Sequence, residues 1–98
     1  MFVLDSHCDT PSQILRLRDL SIDNDHAHVD FPKLEAGGVD AAFFALYIPA
    51  RMDSDQESAA SYASELLDAV MDMLESNNDR AVLTSDAAQA YENKQKGL

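Results

Sequence analysis

At 98 residues the chain is the size of one small domain with a modest core. Its 46% hydrophobic and 26% charged residues exclude an intrinsically disordered chain. A formal net charge of -11, with no basic stripe to offset it, argues against a nucleic-acid partner and suits the collection of cations. No apolar run is long enough for a membrane segment, and no charged-then-apolar leader precedes the first strand. The single cysteine cannot form an internal disulfide, so a reducing cytoplasm is the expected location.

Phe2-Val3-Leu4 is short, apolar and β-prone, and reads as a buried strand. It runs into Asp5-Ser6-His7-Cys8-Asp9-Thr10, after which Pro11 ends the pairing. Continued alternation points Asp5, His7 and Asp9 to one face and turns Cys8 to the other, where a small buried residue is expected. His7 and Asp9 can then offer an imidazole nitrogen and a carboxylate oxygen to one point, both ordinary ligands for zinc and similar divalent metals. By itself H-x-D is a short pattern that recurs by chance. The same residues would serve at a strand end where the His is held by a turn hydrogen bond and the Asp caps the next helix.

Ile14, Leu15 and Leu17 mix with Arg16 and Arg18 in a short helical pattern, which fades into a polar loop over Ser21-Ile22-Asp23-Asn24-Asp25-His26. Asp30 is a good N-cap, Pro32 suits a first turn and Gly37-Gly38 is a stop, so a helix is predicted over 31–36. Val39 to Ile48 is nearly continuous apolar sequence ended by Pro49, which predicts a strand covered on both faces with Asp40 at its start. Arg51 to Gln56 reads as a polar loop. A long helix follows from Glu57 to about Asn77, with Tyr62, Leu66, Ala69 or Val70, and Met73 or Leu74 along its apolar stripe. Arg80 to Leu83 is a very short strand or an extended link. Thr84 or Ser85 is the predicted cap of a last helix running to about Lys94. Strands alternating with helices imply an α/β fold of β/α units. Two main strands do not make a stable parallel sheet, so the chain reads as the opening of a larger fold.

Asp5-Ser6-His7-Cys8-Asp9-Thr10-Pro11 resembles the D-x-H-x-D-x-P segment of the membrane dipeptidase family, the renal dipeptidase-like zinc peptidases. The stretch from His28 to Val39 resembles the segment leading into that family's second strand, and Phe43 to Pro49 resembles the strand itself. Three segments in order carry far more than H-x-D alone; residues 50–98 add a compatible helix pattern. The resemblance implies an amidohydrolase-type (β/α)8 TIM barrel, incomplete in this chain. Residues 1–98 would be the N-terminal part of a single metallo-dependent hydrolase domain. Such barrels carry their ligands at the C-terminal ends of strands, where His7 and Asp9 fall.

By the same resemblance, His7 and Asp9 would bind one of two zinc ions in an enzyme that hydrolyses dipeptides. Asp5 is a candidate for orienting His7 from behind. The family's bridging Glu and further His ligands come from later strands and are not identifiable here. The implied chemistry is a water shared by two zinc ions, made more acidic and delivered to a polarised amide carbonyl. Family members are often dimers, so a homodimer joins the dipeptide among the implied partners.

A catalytic zinc ordinarily has three protein ligands plus water, and this motif supplies two. A whole barrel needs roughly 200 residues or more, so the chain alone is expected to be inactive. Two readings compete with a dipeptidase fragment. One is a non-catalytic truncated barrel domain acting as an interaction or structural module. The other is an unrelated metal-binding domain using His7, Asp9 and His26 or His28. Sequencing the gene past the Leu98 codon separates the first from the fragment. An open frame running into an apolar strand that ends in Glu is the expected outcome, and a stop codon would favour the module.

Overall fold

The computed structural model describes residues 1–16, 18–25, 28–49, 52 and 56–98. Among them, β1 (Leu4–Cys8) is followed by α1 (Pro11–Leu15), α2 (Phe31–Ala36), β2 (Ala41–Phe44), α3 (Gln56–Ser76) and α4 (Ala87–Gln95). The two strands lie side by side in parallel, joined by the helical crossover through α1 and α2. This is the β/α alternation predicted from the sequence, in a mixed α/β fold with an open sheet. None of the helices among the described residues is long and apolar enough to cross a membrane.

Helix α2 forms where its capping signals stand. The Asp30 carboxylate accepts the Lys33 backbone N–H at 2.8 Å, and Pro32 sits in the first turn, where a missing N–H costs nothing. Gly37 ends the helix, and Gly38 takes φ +71°, a backbone conformation that glycine reaches without a Cβ penalty. The chain then turns into β2, with the Val39 N–H donating to the Leu34 carbonyl at 3.0 Å.

The apolar run from 39 to 48 is only partly strand, since β2 ends at Phe44. It is also not covered on both faces. Phe44 packs against the core, whereas Phe43 is 63% exposed. Leu4, predicted to be buried, is half-exposed, and β1 runs on to Cys8, so that Asp5 and His7 lie within it and Asp9 just past its end. The reason is the number of layers. Helices cover one face of a two-stranded sheet, and the alternate residues face outward.

The core gathers Leu20, Phe31, Val70 and Met73, with Ile14, Leu34, Phe44 and Leu46 packed around them. Helix α3 supplies Leu66, Val70 and Met73 from one stripe and leaves Leu67 and Met71 outside. It ends at buried Asn77, whose Nδ2 donates to the Met73 carbonyl at 2.9 Å. Residues 80–83 form no strand: the N–H groups of Arg80 and Ala81 close a turn on the Asn77 carbonyl, and Val82 and Leu83 follow exposed.

The cap of α4 is Asp86, not Thr84 or Ser85. The Asp86 carboxylate accepts the Gln89 N–H at 2.8 Å, while the Thr84 hydroxyl accepts from Asn93 and Ser85 bonds the Gln89 side chain. Thr84 and Ser85 therefore sit two residues and one residue too early, respectively, for the N-cap bond. Helix α4 docks on the start of β1. Tyr91 lies against Phe2 with ring centroids 4.7 Å apart, and Lys94 reaches both the Met1 carbonyl and the Asp40 carboxylate. Asp40 also accepts the Val3 N–H at 2.7 Å; that bond, against a smaller opposing effect of burial, and then Lys94 hold its carboxyl below the usual range.

Asp30 is completely buried, yet charged. Burial by itself would raise its pKa. Hydrogen bonds from the Lys33 ammonium and from the backbone N–H groups of Asn24 and Lys33 outweigh that and lower it to about 2. Arg18 Nη2 adds a contact at 3.3 Å. A carboxyl with a folded pKa depressed from 3.8 to about 2 gives stability that is present above pH 4 and is lost as the pH falls towards 2. Asp30→Ala should therefore destabilise the chain by about 3 kcal/mol near neutrality, because it breaks a buried ion pair and removes a helix cap. In urea unfolding followed against pH, the gap between wild type and variant should narrow by about 2 kcal/mol between pH 4 and pH 2.

Candidate metal centre

The residues singled out from the sequence sit at the C-terminal end of β1, where the strand pairing is irregular. Asp5 stands opposite Ala42 and Cys8 opposite Phe44, so β1 advances three residues while β2 advances two. An extra residue of this kind bends a strand and re-aims side chains. It corrects the simple alternation that would have put Asp5, His7 and Asp9 on one face. Ser6 and His7 are both exposed, Cys8 is buried, and Asp5 is only partly exposed. The Asp5 carboxylate accepts the backbone N–H of His7 at 3.1 Å, so it acts on the main chain of His7.

Beyond the irregularity, alternation resumes. His7 and Asp9 both face solvent, with side chains 68% and 56% exposed, and His7 Nε2 lies 3.0 Å from Asp9 Oδ1. Cys8 and Thr10 face inward, and their Sγ and Oγ1 atoms share a hydrogen bond at 2.9 Å. Asp9 is tied to the start of α1 by its carbonyl, which accepts from the Ser12 hydroxyl at 3.1 Å. Thr10 occupies the N-cap position of α1 without making a side-chain cap bond. The sequence reading did not pair Cys8 with Thr10. The signal available for it was the alternation that buries both.

The two facing atoms are an imidazole nitrogen and a carboxylate oxygen, the donor chemistry of a borderline divalent ion. Among the described residues, no group of three or more His, Cys, Asp or Glu side chains converges. His28 is exposed and does not join His7 and Asp9, so it is not the third ligand proposed for an unrelated metal-binding domain. His26, the alternative, lies outside the described residues. A shallow groove of about 410 Å³ runs along the first turns of α3, lined by Met52, Glu57, Ser58, Ser61, Tyr62 and Glu65. It shares no residue with the His7–Asp9 pair.

A parallel β/α unit with a His–Asp donor pair at the carboxyl end of its first strand is the arrangement seen where α/β enzymes build their sites. The family model for membrane dipeptidase, peptidase family M19, matches residues 1–98, and the chain belongs to that family of hydrolases. Comparison with curated proteins gives no match.

Both donors are so exposed that their mutual contact contributes little to folding. His7→Ala and Asp9→Asn should each change stability to urea by less than about 1 kcal/mol. A larger loss would mean that the pair is a structural bond.

Proposed function

We propose that the chain is the N-terminal part of a zinc-dependent dipeptidase, with His7 and Asp9 as metal ligands. The observation that carries this reading is the approach of His7 Nε2 to Asp9 Oδ1 at the end of β1, in a chain matched throughout by a dipeptidase family. Zinc, when bound, supplies Lewis acidity towards the scissile carbonyl and a water acidic enough to attack near neutral pH. His7 would hold the ion through a neutral ring nitrogen and Asp9 through an ionised oxygen, each giving up its contact with the other. Asp5 would steady His7 through the backbone bond. The exposure of the pair leaves it open to a substrate and to ligands from elsewhere in the protein.

The (β/α)8 barrel belongs to the same proposal. Parallel pairing across a helical crossover supports it, as does a sheet with Phe44 under helices and Phe43 open on the other face. A cytoplasmic location is part of this reading and rests on the one unpaired cysteine, Cys8. A pair of ligands falls short of a catalytic set, so the chain alone should bind zinc without hydrolysing dipeptides.

Titration of the chain with zinc, followed by calorimetry, tests the assignment. His7→Ala and Asp9→Asn should each weaken binding by at least about tenfold. Unchanged affinity in both variants would remove these residues from the site, and hydrolysis of a dipeptide by the isolated chain would overturn its incompleteness.

A further inference from the structure

We propose that the buried Cys8–Thr10 contact is a positioning device for the His7–Asp9 pair. The inference rests on the metal-ligand reading above and extends it to two residues that would touch neither metal nor substrate.

The four residues interleave. His7 and Asp9 face out, with side chains 68% and 56% exposed, while Cys8 and Thr10 face in at 6% and 5% exposure. The end of the strand at Cys8 and the helical Thr10 backbone that opens α1 (φ -55°, ψ -28°) are only two residues apart, and His7 and Asp9 hang on the same stretch of backbone, so holding the inner side chains together restricts the spacing of the outer ones. The inner pair is held at 2.9 Å between Cys8 Sγ and Thr10 Oγ1. Cys8 is in turn anchored to the sheet, because its carbonyl accepts the Ala45 N–H at 2.7 Å and it stands opposite Phe44. Thr10 is anchored to α1, because its carbonyl accepts the Gln13 N–H at 2.8 Å. The clamp thus joins strand and helix directly behind the two donors.

The behaviour of Thr10 singles it out. A Thr at a helix N-cap ordinarily spends its hydroxyl on a backbone N–H of the first turn. Here the side chain makes no such bond and its hydroxyl goes to Cys8. Ser12 instead ties the neighbouring Asp9 carbonyl to the first turn through its own hydroxyl, without the Thr10 cap. The Thr10 hydroxyl therefore serves the strand end and not the helix.

Zinc titration of the whole chain, with zinc alone as the probe, separates positioning from plain structure. Thr10→Val keeps the shape and removes the hydroxyl, and should weaken zinc binding roughly tenfold, as loss of a ligand-orienting partner does. Thr10→Ser keeps the hydroxyl and should restore wild-type affinity. Cys8→Ala breaks the same contact from the other end and should weaken binding equally. The Cys8→Ala, Thr10→Val double variant should be no weaker than either single one, since the contact can be lost only once. If Thr10→Val fails to fold, Cys8→Ser against Cys8→Ala makes the same comparison.

Wild-type affinity in folded Thr10→Val or Cys8→Ala, alongside a loss in His7→Ala, would overturn the positioning role and leave the metal site standing. Zinc binding that His7→Ala does not alter would overturn the metal site and the positioning role together.

Discussion

A carboxylate with no access to water organises the connection between the two strands. Asp30 caps α2, receives the Lys33 ammonium and Arg18, and accepts the backbone N–H of Asn24. These partners come from three stretches of the crossover. A buried anion is tolerated only when its lone pairs are filled, and here they are filled by groups that would otherwise belong to separate loops. Beside it, Phe31 donates its N–H to the Leu20 carbonyl and both side chains enter the core. The polar centre and the apolar core are therefore adjacent, and together they set where α2 begins and how it lies against the core.

The sheet shows a division of labour along its strands. At the amino end, Asp40 joins the Val3 N–H to Lys94, the Lys94 ammonium sits 5.6 Å over the Phe2 ring, and Phe2 meets Tyr91. These contacts span most of the chain and serve to hold α4 and the amino terminus together. At the carboxyl end the strands remain paired, with the Ala45 N–H on the Cys8 carbonyl, while the side chains of the His7–Asp9 pair touch each other and are open to solvent. The exposed His7–Asp9 contact adds little to stability, which rests on the buried contacts around it. This is the arrangement by which β/α enzymes separate folding from chemistry.

Much of this was legible in the residues themselves. Asp30, Pro32 and Gly37-Gly38 are local signals acting over a few bonds, so α2 formed where they stood. The stripe of Leu66, Val70 and Met73 marked α3 to within a residue or so at each end. The ligand-type spacing of His7 and Asp9 was readable because i, i+2 alternation in extended chain is a local property. It also assigned Cys8 to the inside. The capping of α4 was less so, because Thr84, Ser85 and Asp86 all carry N-cap chemistry, and their competition is decided by which oxygen reaches the Gln89 N–H.

What sequence alone determined, then, was the order and character of the elements and that His7 and Asp9 stand side by side at the end of β1. Tertiary structure decided the rest. The extra residue between Asp5 and Cys8 took Asp5 out of simple alternation with His7, and a bulge depends on the partner strand's register. The exposure of Phe43 and Leu4 depends on how many layers cover the sheet, which an apolar run does not state. The ionisation of fully buried Asp30 depends on donors from Arg18, Asn24 and Lys33 meeting at one point. Local rules act through the covalent chain and can be read along it, whereas burial, register and charge depend on which distant residues arrive beside them.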